Sequence, residues 1–325
     1  MKRLSCLILL FVSITCIAWS QINNNKLGLG FSASVGLLSG AAEEIVYMSD
    51  ATDDKLSQLL WYFEPLFYAG VDLEYHYPVY QNIALFAEAA FKYMFPAAAG
   101  IMEDRDWTVY SNPHWLTHFS ESENKTESSF IIGGSIGASF TYLGKIQLRT
   151  FISYSYMSWA WTAKGGSMLY SMVQLDNENF LGLNTYLPAS IHAAVYRQKW
   201  NIISLGASFY GELNPYFGIT VSFKLSPLVW LSATDEHLLR KMVIQSDVLG
   251  GFQIEPGLAL SFRPDASTYW TLLCSYKNIS GARGDGVYTG DGVYEELKVP
   301  TITASNMIGS GYSAFSLGFR VTVFF

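Results

Sequence analysis

The chain has 325 residues, of which 50% are hydrophobic and 16% aromatic, and its formal net charge at pH 7 is −7. This acidic balance argues against nucleic acid as a partner, because binding to a polyanion depends on clustered Lys and Arg side chains. After the first twenty residues, polar side chains interrupt every apolar run, so no transmembrane helix of about 20 apolar residues is predicted. The aromatic content is typical of a membrane-spanning β-barrel with aromatic girdles at both interfaces.

Residues 1–20 are predicted to be a secretory signal peptide. The cationic Lys2 and Arg3 precede a short apolar core, which is the order found in such signals. An uncleaved membrane anchor is the alternative, and the shortness of the apolar part disfavours it. Removal of the signal moves the net charge from −7 to −9. Residues 21–325 then form a single predicted domain with Cys274 as its one cysteine, which excludes an internal disulfide.

Alternation of apolar residues with small or polar ones dominates the rest of the chain. In the first run, Leu29, Phe31 and Val35 share one face, and glycines and serines occupy the other. A strand between lipid and a filled lumen has this pattern. In the second run, the same reasoning predicts that Trp61 and Phe63 face outward and that the ionisable residues of the opposite parity face the lumen.

Ten strands are predicted, and they close into an antiparallel transmembrane β-barrel. Two strands begin at Leu27 and near Trp61, and the others span about 83–95, 128–142, 146–161, 190–210, 216–231, 242–263, 268–280 and 308–325. Short connections alternate with long ones, and in bacterial barrels the short turns are periplasmic and the long loops extracellular. Several strands exceed the roughly 9–11 residues that cross a bilayer, so the barrel is expected to project beyond the membrane.

Two acidic motifs follow odd-numbered strands. Asp104 and Asp106 lie in the long segment after the third predicted strand, and Asp235 and His237 lie in the segment after the seventh. Segments after odd-numbered strands lie at the same end of the barrel, and positions about four strands apart in a ring of ten face each other across the lumen. We therefore predict that the two motifs meet over the extracellular mouth.

The residue types of the two motifs suit hydrolysis. His237 is the natural general base near neutral pH, and Asp235 could orient its imidazole and stabilise the charged form. The close pair Asp104 and Asp106 is expected to have one raised pKa. No Ser or Cys is marked as a nucleophile, so water is the expected attacking group.

Three alternatives stay open at this point. Acidic residues in loops are most often simply solvated. The spacing of His114 and His118 near Asp104 could serve a metal site, although in a loop it means little. The repeated Gly-Asp-Gly-Val-Tyr, starting at Gly284 and Gly290, could suggest calcium but is more typical of turns.

Several short motifs together resemble the omptin family, the ten-stranded outer-membrane proteases of Gram-negative bacteria. They are Asp104-Arg105-Asp106-Trp107 with the downstream Ser111-Asn112-Pro113, the segment Thr162 to Ser167, and Asp235-Glu236-His237. Each motif is short, but their order and spacing are specific. The resemblance runs from Leu27 to Phe325.

The resemblance implies an aspartic-type endopeptidase in which Asp235 and His237 form a dyad that activates water. Asp104 and Asp106 would complete the catalytic site from across the cleft. The family cleaves beside basic residues, and Glu44 aligns with an acidic residue that binds the basic side chain before the cut. A second acidic residue is expected two positions before Asp235, where this chain has Ala233, so the preference for basic residues is weakened.

The resemblance also implies partners and a location. Lys164, Arg197 and Lys199 fall near the family's basic lipid-contacting positions, and lipopolysaccharide would be needed for activity; the same residues could instead be interfacial anchors. We predict no metal or organic cofactor, peptide or protein substrates, a monomer, and an outer-membrane location with the site facing outward. The alternatives are a catalytically inactive barrel that acts as an adhesin or host-protein-binding surface, and a porin.

Overall fold

The computed structural model describes residues 28–143, 145–171, 183–280, 283–290 and 301–325. Every regular element in these ranges is a β-strand, and none of them contains a helix long and apolar enough to cross a membrane. The predicted signal peptide, residues 1–20, lies outside the described residues.

Fourteen strands are present in the described part of the chain. They are β1 (Gly28–Tyr47), β2 (Lys55–Tyr80), β3 (Ile83–Met94), β4 (Ala97–Asp106), β5 (His118–Thr126), β6 (Ser129–Tyr142), β7 (Ile146–Tyr170), β8 (Leu183–Asn214), β9 (Phe217–His237), β10 (Met242–Leu249), β11 (Phe252–Phe262), β12 (Thr268–Ser280), β13 (Arg283–Gly290) and β14 (Thr301–Phe324).

All strand pairs are antiparallel, and the sheet closes on itself. Strand β1 pairs with β14 from Gly30 opposite Phe324 to Val46 opposite Ile308, and along its other side it pairs with β2. Closure leaves no exposed sheet edge, which a strand protein in lipid requires because hydrocarbon cannot satisfy free backbone groups. The predicted antiparallel barrel is therefore confirmed.

The strands number fourteen rather than the predicted ten because some are interrupted partway. Pro96, which lacks an N–H, separates β3 from β4, and Gly250 and Gly251, with φ of 122° and 91°, separate β10 from β11. Glu127 and Ser128 separate β5 from β6. The pairing at one end of the barrel runs through β1, β2, β3, β6, β7, β8, β9, β11, β12 and β14; at the other end β4, β5, β10 and β13 replace β3, β6, β11 and β12.

The side chains on the outer surface differ between the two halves of the barrel. Exposed large apolar side chains crowd the half that carries the tight turns, and examples are Phe31, Val71, Leu73, Phe91, Ile136, Phe223 and Leu317. We call this the lower half, because such an apolar band is the surface that faces lipid. The outward positions of the opposite, upper half include charged residues such as Glu103, Arg105 and Arg197.

The upper half corrects the predicted loops. Strands β4 and β5 occupy most of the segment predicted as a loop after residue 95, β7 continues to Tyr170, and β13 lies inside the predicted Gly-rich loop. The alternation rule misses these strands for a physical reason. Water surrounds the upper half, so its outward face needs no apolar residues to mark it.

The predicted outward orientation of Trp61 and Phe63 is wrong, since both are at most 1% exposed. The register between β1 and β2 shifts between Leu38 and Gly40, so that Glu64 and Pro65 together oppose a single residue. This bulge reverses the parity of β2, because one extra residue moves every following side chain to the other face.

The inward-turned rings join others into a buried layer, which we call the aromatic plug. Its members are Trp61, Phe63, Trp159, Trp161, Tyr196 and Tyr312. Phe63 stacks on Trp159 with 5.4 Å between ring centroids, and Trp159 stacks on Trp161 at 5.6 Å. Each such pair stabilises by about 0.5–1.5 kcal/mol beyond the burial itself. The plug separates the lumen of the lower half from the cavity of the upper half.

Candidate active site

The two acidic motifs were predicted to lie in loops. In the structure they lie instead at the ends of strands in the upper half. Asp104 and Asp106 are among the last residues of β4, and Asp235 and His237 end β9. Asp106 is paired through its backbone with Ser57 on one side and with its β5 neighbour on the other. Ladder pairing on both sides fixes the positions of these side chains more firmly than a loop could.

Asp104 and His237 line the same small cavity. It has a volume of about 50 Å³, and Ser120, Tyr170 and Arg240 also contribute to its wall. A cavity of this size is large enough to hold a water molecule. The structure therefore brings the two predicted motifs together from opposite walls of the upper half.

Asp235 lies directly against the imidazole of His237. The Nε2 atom of His237 is 2.7 Å from Oδ2 of Asp235, whose side chain is wholly buried. Burial disfavours the charged imidazole, but the charges of Asp235 and, farther away, Asp104 outweigh it, so the pKa of His237 is raised. Asp235 thus stabilises the protonated form that a general base must adopt after taking a proton.

Asp104 is a carboxyl group that holds a proton unusually well. Burial raises its pKa to about 7, and the charge of Asp106 acts in the same direction. The positive charges of His237 and Arg240 oppose this rise. Ser57 Oγ donates a long hydrogen bond of 3.5 Å to Asp104 Oδ1. Asp104 therefore titrates near neutral pH, where it can act as a proton donor.

Arg240 is a member of this site that the sequence analysis missed. Its Nη2 atom lies 3.8 Å from Oδ2 of Asp106, and the guanidinium contacts Tyr170 as well. It reaches the opposite wall because residues 238–241 form a tight turn in which Arg240 N donates to the carbonyl of His237 at 3.2 Å. In the sequence, a cation three residues after His237 is the feature that could have indicated this role.

Glu44 belongs to the same cluster but is closed off from solvent. It is 1% exposed, and its Oε2 atom is buried without a hydrogen-bond partner. Burial, followed by the neighbouring Asp235, raises the pKa of Glu44 well above its usual range. Ala233 lies on the same inward face of β9 as Asp235 and is 3% exposed. The structure thus puts both predicted specificity positions beside the dyad.

A family comparison identifies the chain. The model of the omptin family matches residues 25–320. The chain belongs to the omptin family. Among its relatives, the proteins named Protease 7 from Escherichia coli K12 and O157:H7 are each 28% identical over 208 residues, which cover 63% of this chain and 62% of the relative. The chain thus matches less than two thirds of the length of these curated relatives.

A solved structure agrees with the fold of this omptin. The crystal structure of the outer membrane protease OmpT from Escherichia coli superposes with a TM-score of 0.81 at 18% identity, covering 94% of this chain and 99% of that one. At this level of identity the likeness concerns the fold alone.

The predicted lipid-contacting residues of this omptin lie outside the cleft. Arg197 and Lys199 project from the outward face of β8, above the apolar band, and Lys164 lies on the neighbouring β7. Arg197 forms an ion pair with Glu236. These three cations are therefore positioned toward the surroundings of the barrel and away from the acidic cluster.

The metal alternatives gain no support in the ranges that the structure describes. No group of three or more His, Cys, Asp and Glu residues there is arranged to hold a metal ion. The ring of His118 packs against Tyr170 at 4.7 Å. The first Gly-Asp-Gly-Val-Tyr copy lies in strand β13 and not in the predicted turn, and Asp285 Oδ1 accepts hydrogen bonds from Ser305 Oγ and Asn306 N of β14 at 3.0 and 2.8 Å.

Proposed function

We propose that this omptin is an aspartic-type endopeptidase of the outer membrane, with its site facing the extracellular side, that cleaves exposed peptides or proteins. A water molecule held between Asp104 and His237 is the nucleophile. The observation that carries the proposal is the contact of His237 with Asp235 in a cavity whose opposite wall contains Asp104. The apolar band supports membrane insertion, and the position of the site opposite the tight turns supports the orientation.

The reaction uses the two walls for different steps. The imidazole of His237 takes a proton from the water as it attacks the peptide carbonyl, and Asp235 stabilises the imidazolium that results. Asp104, whose pKa is about 7, donates a hydrogen bond or a proton to the reacting peptide. Asp106 keeps the pKa of Asp104 high through its negative charge.

Water is the proposed nucleophile because an acidic residue, and not a serine, lies against the base. The side chain in contact with His237 Nε2 is Asp235, whereas Ser120 and Ser122, which line the cavity, belong to β5. A covalent mechanism needs a nucleophile within hydrogen-bonding reach of its base. This supports the assignment to the aspartic type.

The proposed substrate preference is a basic residue before the scissile bond. Glu44 is the acidic residue that the family pattern assigns to this pocket, but its burial and raised pKa reduce its negative charge. Ala233 supplies none of the second negative charge that the family pattern has. The preference is therefore weaker than a two-carboxylate pocket would give. Lys164, Arg197 and Lys199 are proposed to contact the phosphate groups of lipopolysaccharide, which activity would require.

The test is cleavage of peptide libraries, dibasic and unbiased, by refolded protein with and without lipopolysaccharide. His237→Ala and Asp104→Ala should lose cleavage, whereas His118→Ala, a nearby histidine outside the proposed machinery, should retain it. Equal cleavage by the wild type and His237→Ala, or none by any variant, would favour the alternative of an adhesin or binding surface. Liposome swelling by the wild type would indicate a porin.

A further inference from the structure

A second cavity lies inside the lower half of the barrel, beneath the aromatic plug. Its volume is about 280 Å³, and charged side chains from most of the surrounding strands line it. On the opposite faces of the same strands, Val71, Leu73 and Phe91 are exposed in the apolar band. The cavity therefore sits at the level of the lipid, and the proposed peptidase chemistry uses none of its residues.

Most of the charges around this lower cavity are paired. Glu255 accepts from Lys224 at 3.3 Å and from Lys277 at 3.2 Å. Two lysines thus share a single carboxylate. This group of Glu255, Lys224 and Lys277 therefore carries one more positive charge than negative charge.

A second group is also arranged around one shared residue. Arg149 Nη2 lies 2.7 Å from Glu74 and 2.7 Å from Glu88. Here two carboxylates share one guanidinium, and Glu74 also contacts His76. This group therefore carries one more negative charge than positive charge, and the imidazole of His76 partly offsets it.

Lys92 and Arg320 complete the lining, and in the described part of the chain neither belongs to an ion pair within 4 Å. The Lys92 ammonium lies 5.1 Å over the ring of Tyr68. Arg320 Nε is buried without a hydrogen-bond partner. Asp72 also lines the cavity, and its charge acts on both cations, although the described ranges contain no ion pair within 4 Å between it and either one.

The charge balance follows from these contacts. Four cations, Lys92, Lys224, Lys277 and Arg320, and three carboxylates, Asp72, Glu88 and Glu255, line the cavity, and the pair of Arg149 with Glu74 beside it adds one charge of each sign. An uncompensated cation is costly in a lumen enclosed by lipid, where the dielectric is low. The cavity has room for an ion and several waters, each of which occupies about 30 Å³ in the liquid.

We propose that the lower cavity binds one small monovalent anion of the halide class between Lys92 and Arg320. The single surplus positive charge sets the valence. The ammonium and guanidinium groups supply the donors, and Tyr68 closes one side of the site. The anion completes the charge balance of the membrane-embedded lumen, and this role is independent of proteolysis.

The first test locates the ion in the unaltered protein. Crystals of the full chain grown in sodium bromide should show an anomalous peak within hydrogen-bonding distance of Lys92 Nζ and the Arg320 guanidinium. A cavity without a bromide peak would overturn the proposal. This measurement depends on no variant and on no activity assay.

The second test follows thermal unfolding in detergent as chloride replaces gluconate, a polyhydroxylated carboxylate outside the halide class, at constant ionic strength. The wild-type Tm should rise by about 5–10 °C at a hundredfold excess over Kd. Lys92→Met equalises the charges and should abolish the rise. Asp72→Asn enlarges the positive surplus and should move the rise to lower chloride concentrations.

Lys125→Met is the matched control, because Lys125 pairs with Glu127 on the outside of the barrel. It should respond to chloride as the wild type does. The same chloride response in Lys92→Met as in the wild type would contradict the proposal, as would weaker chloride binding by Asp72→Asn. The outcome is separate from that of the peptidase test, since a barrel that cleaves nothing could still bind the anion.

Discussion

The lower and upper halves of the barrel use carboxylates in opposite ways. In the lower lumen, four carboxylates face five cations, and most form ion pairs. Around the upper cavity, four acidic residues, Glu44, Asp104, Asp106 and Asp235, lie near the cations His237 and Arg240. Burial, followed by the negative charges of neighbouring carboxylates, raises the pKa of Glu44 and of Asp104. Carboxylates that share cation partners thus stabilise the barrel, whereas a buried carboxyl group among other acidic residues, such as Asp104, is available for proton transfer.

Asp235→Asn should produce the largest effect, because it removes the charge that stabilises the imidazolium of His237. We expect kcat/KM to fall by about 10³- to 10⁴-fold in a peptide-cleavage assay, with the barrel still folded. The control is Glu236→Gln, which changes the neighbouring outward residue that pairs with Arg197. A loss of less than about tenfold in Asp235→Asn would mean that the dyad is not the base.

Glu255→Gln, in the lower half, should reduce stability and leave catalysis unchanged. The change leaves Lys224 and Lys277 without their shared carboxylate, so the free energy of unfolding should fall by about 3–5 kcal/mol. Urea unfolding measures this, and kcat/KM of the folded fraction should stay unchanged. Glu127→Gln, at an exposed pair, is the control and should alter neither quantity. An unchanged urea midpoint for Glu255→Gln would remove the distinction between the halves.

Arg240→Gln should shift the pH dependence of cleavage. The Arg240 charge opposes the rise in the pKa of Asp104, so its removal raises that pKa above about 7. If the protonated Asp104 is the active form, the alkaline limb of kcat/KM moves to higher pH. Lys241→Gln, the adjacent exposed cation, should leave the limb where it is. A shift of the limb to lower pH would contradict the assigned role of Asp104.

Ala233→Asp should give the smallest change, a several-fold gain in preference for a basic residue before the cut. The new carboxylate would lie on the same face as Asp235 and beside Glu44. Ala233→Asn is the control for size without charge. A library profile that Ala233→Asp leaves unaltered would show that the pocket lies elsewhere.

The sequence predicted the lower half better than the upper half. Lipid forces alternate residues such as Phe31 and Val71 to be apolar, which makes the strands visible, whereas β4 and β5 lie in water and carry polar residues on both faces. The bulge at Glu64 and Pro65 reversed the predicted orientation of part of β2. Such irregularities leave little trace in a pattern of period two.

The candidate site was predicted through its motifs, but its internal contacts were not. Asp104 and His237 share a cavity, as their places in the strand order indicated. The approach of Arg240 to Asp106 depends on the turn after β9, and the burial of Glu44 beside Asp235 depends on how β1 meets β9 across the lumen. Contacts of this kind are set by the closed barrel and not by local sequence.

The two walls of the upper cavity are proposed to act on one water molecule, and a double-mutant cycle distinguishes this from two independent contributions. kcat/KM would be measured for the wild type, Asp104→Asn, His237→Ala and the double variant on a single peptide. If the walls work as one unit, the double variant should be no slower than the slower single variant, as in other catalytic groups that act together. Losses that multiply in the double variant, or a single variant with wild-type cleavage, would contradict the account.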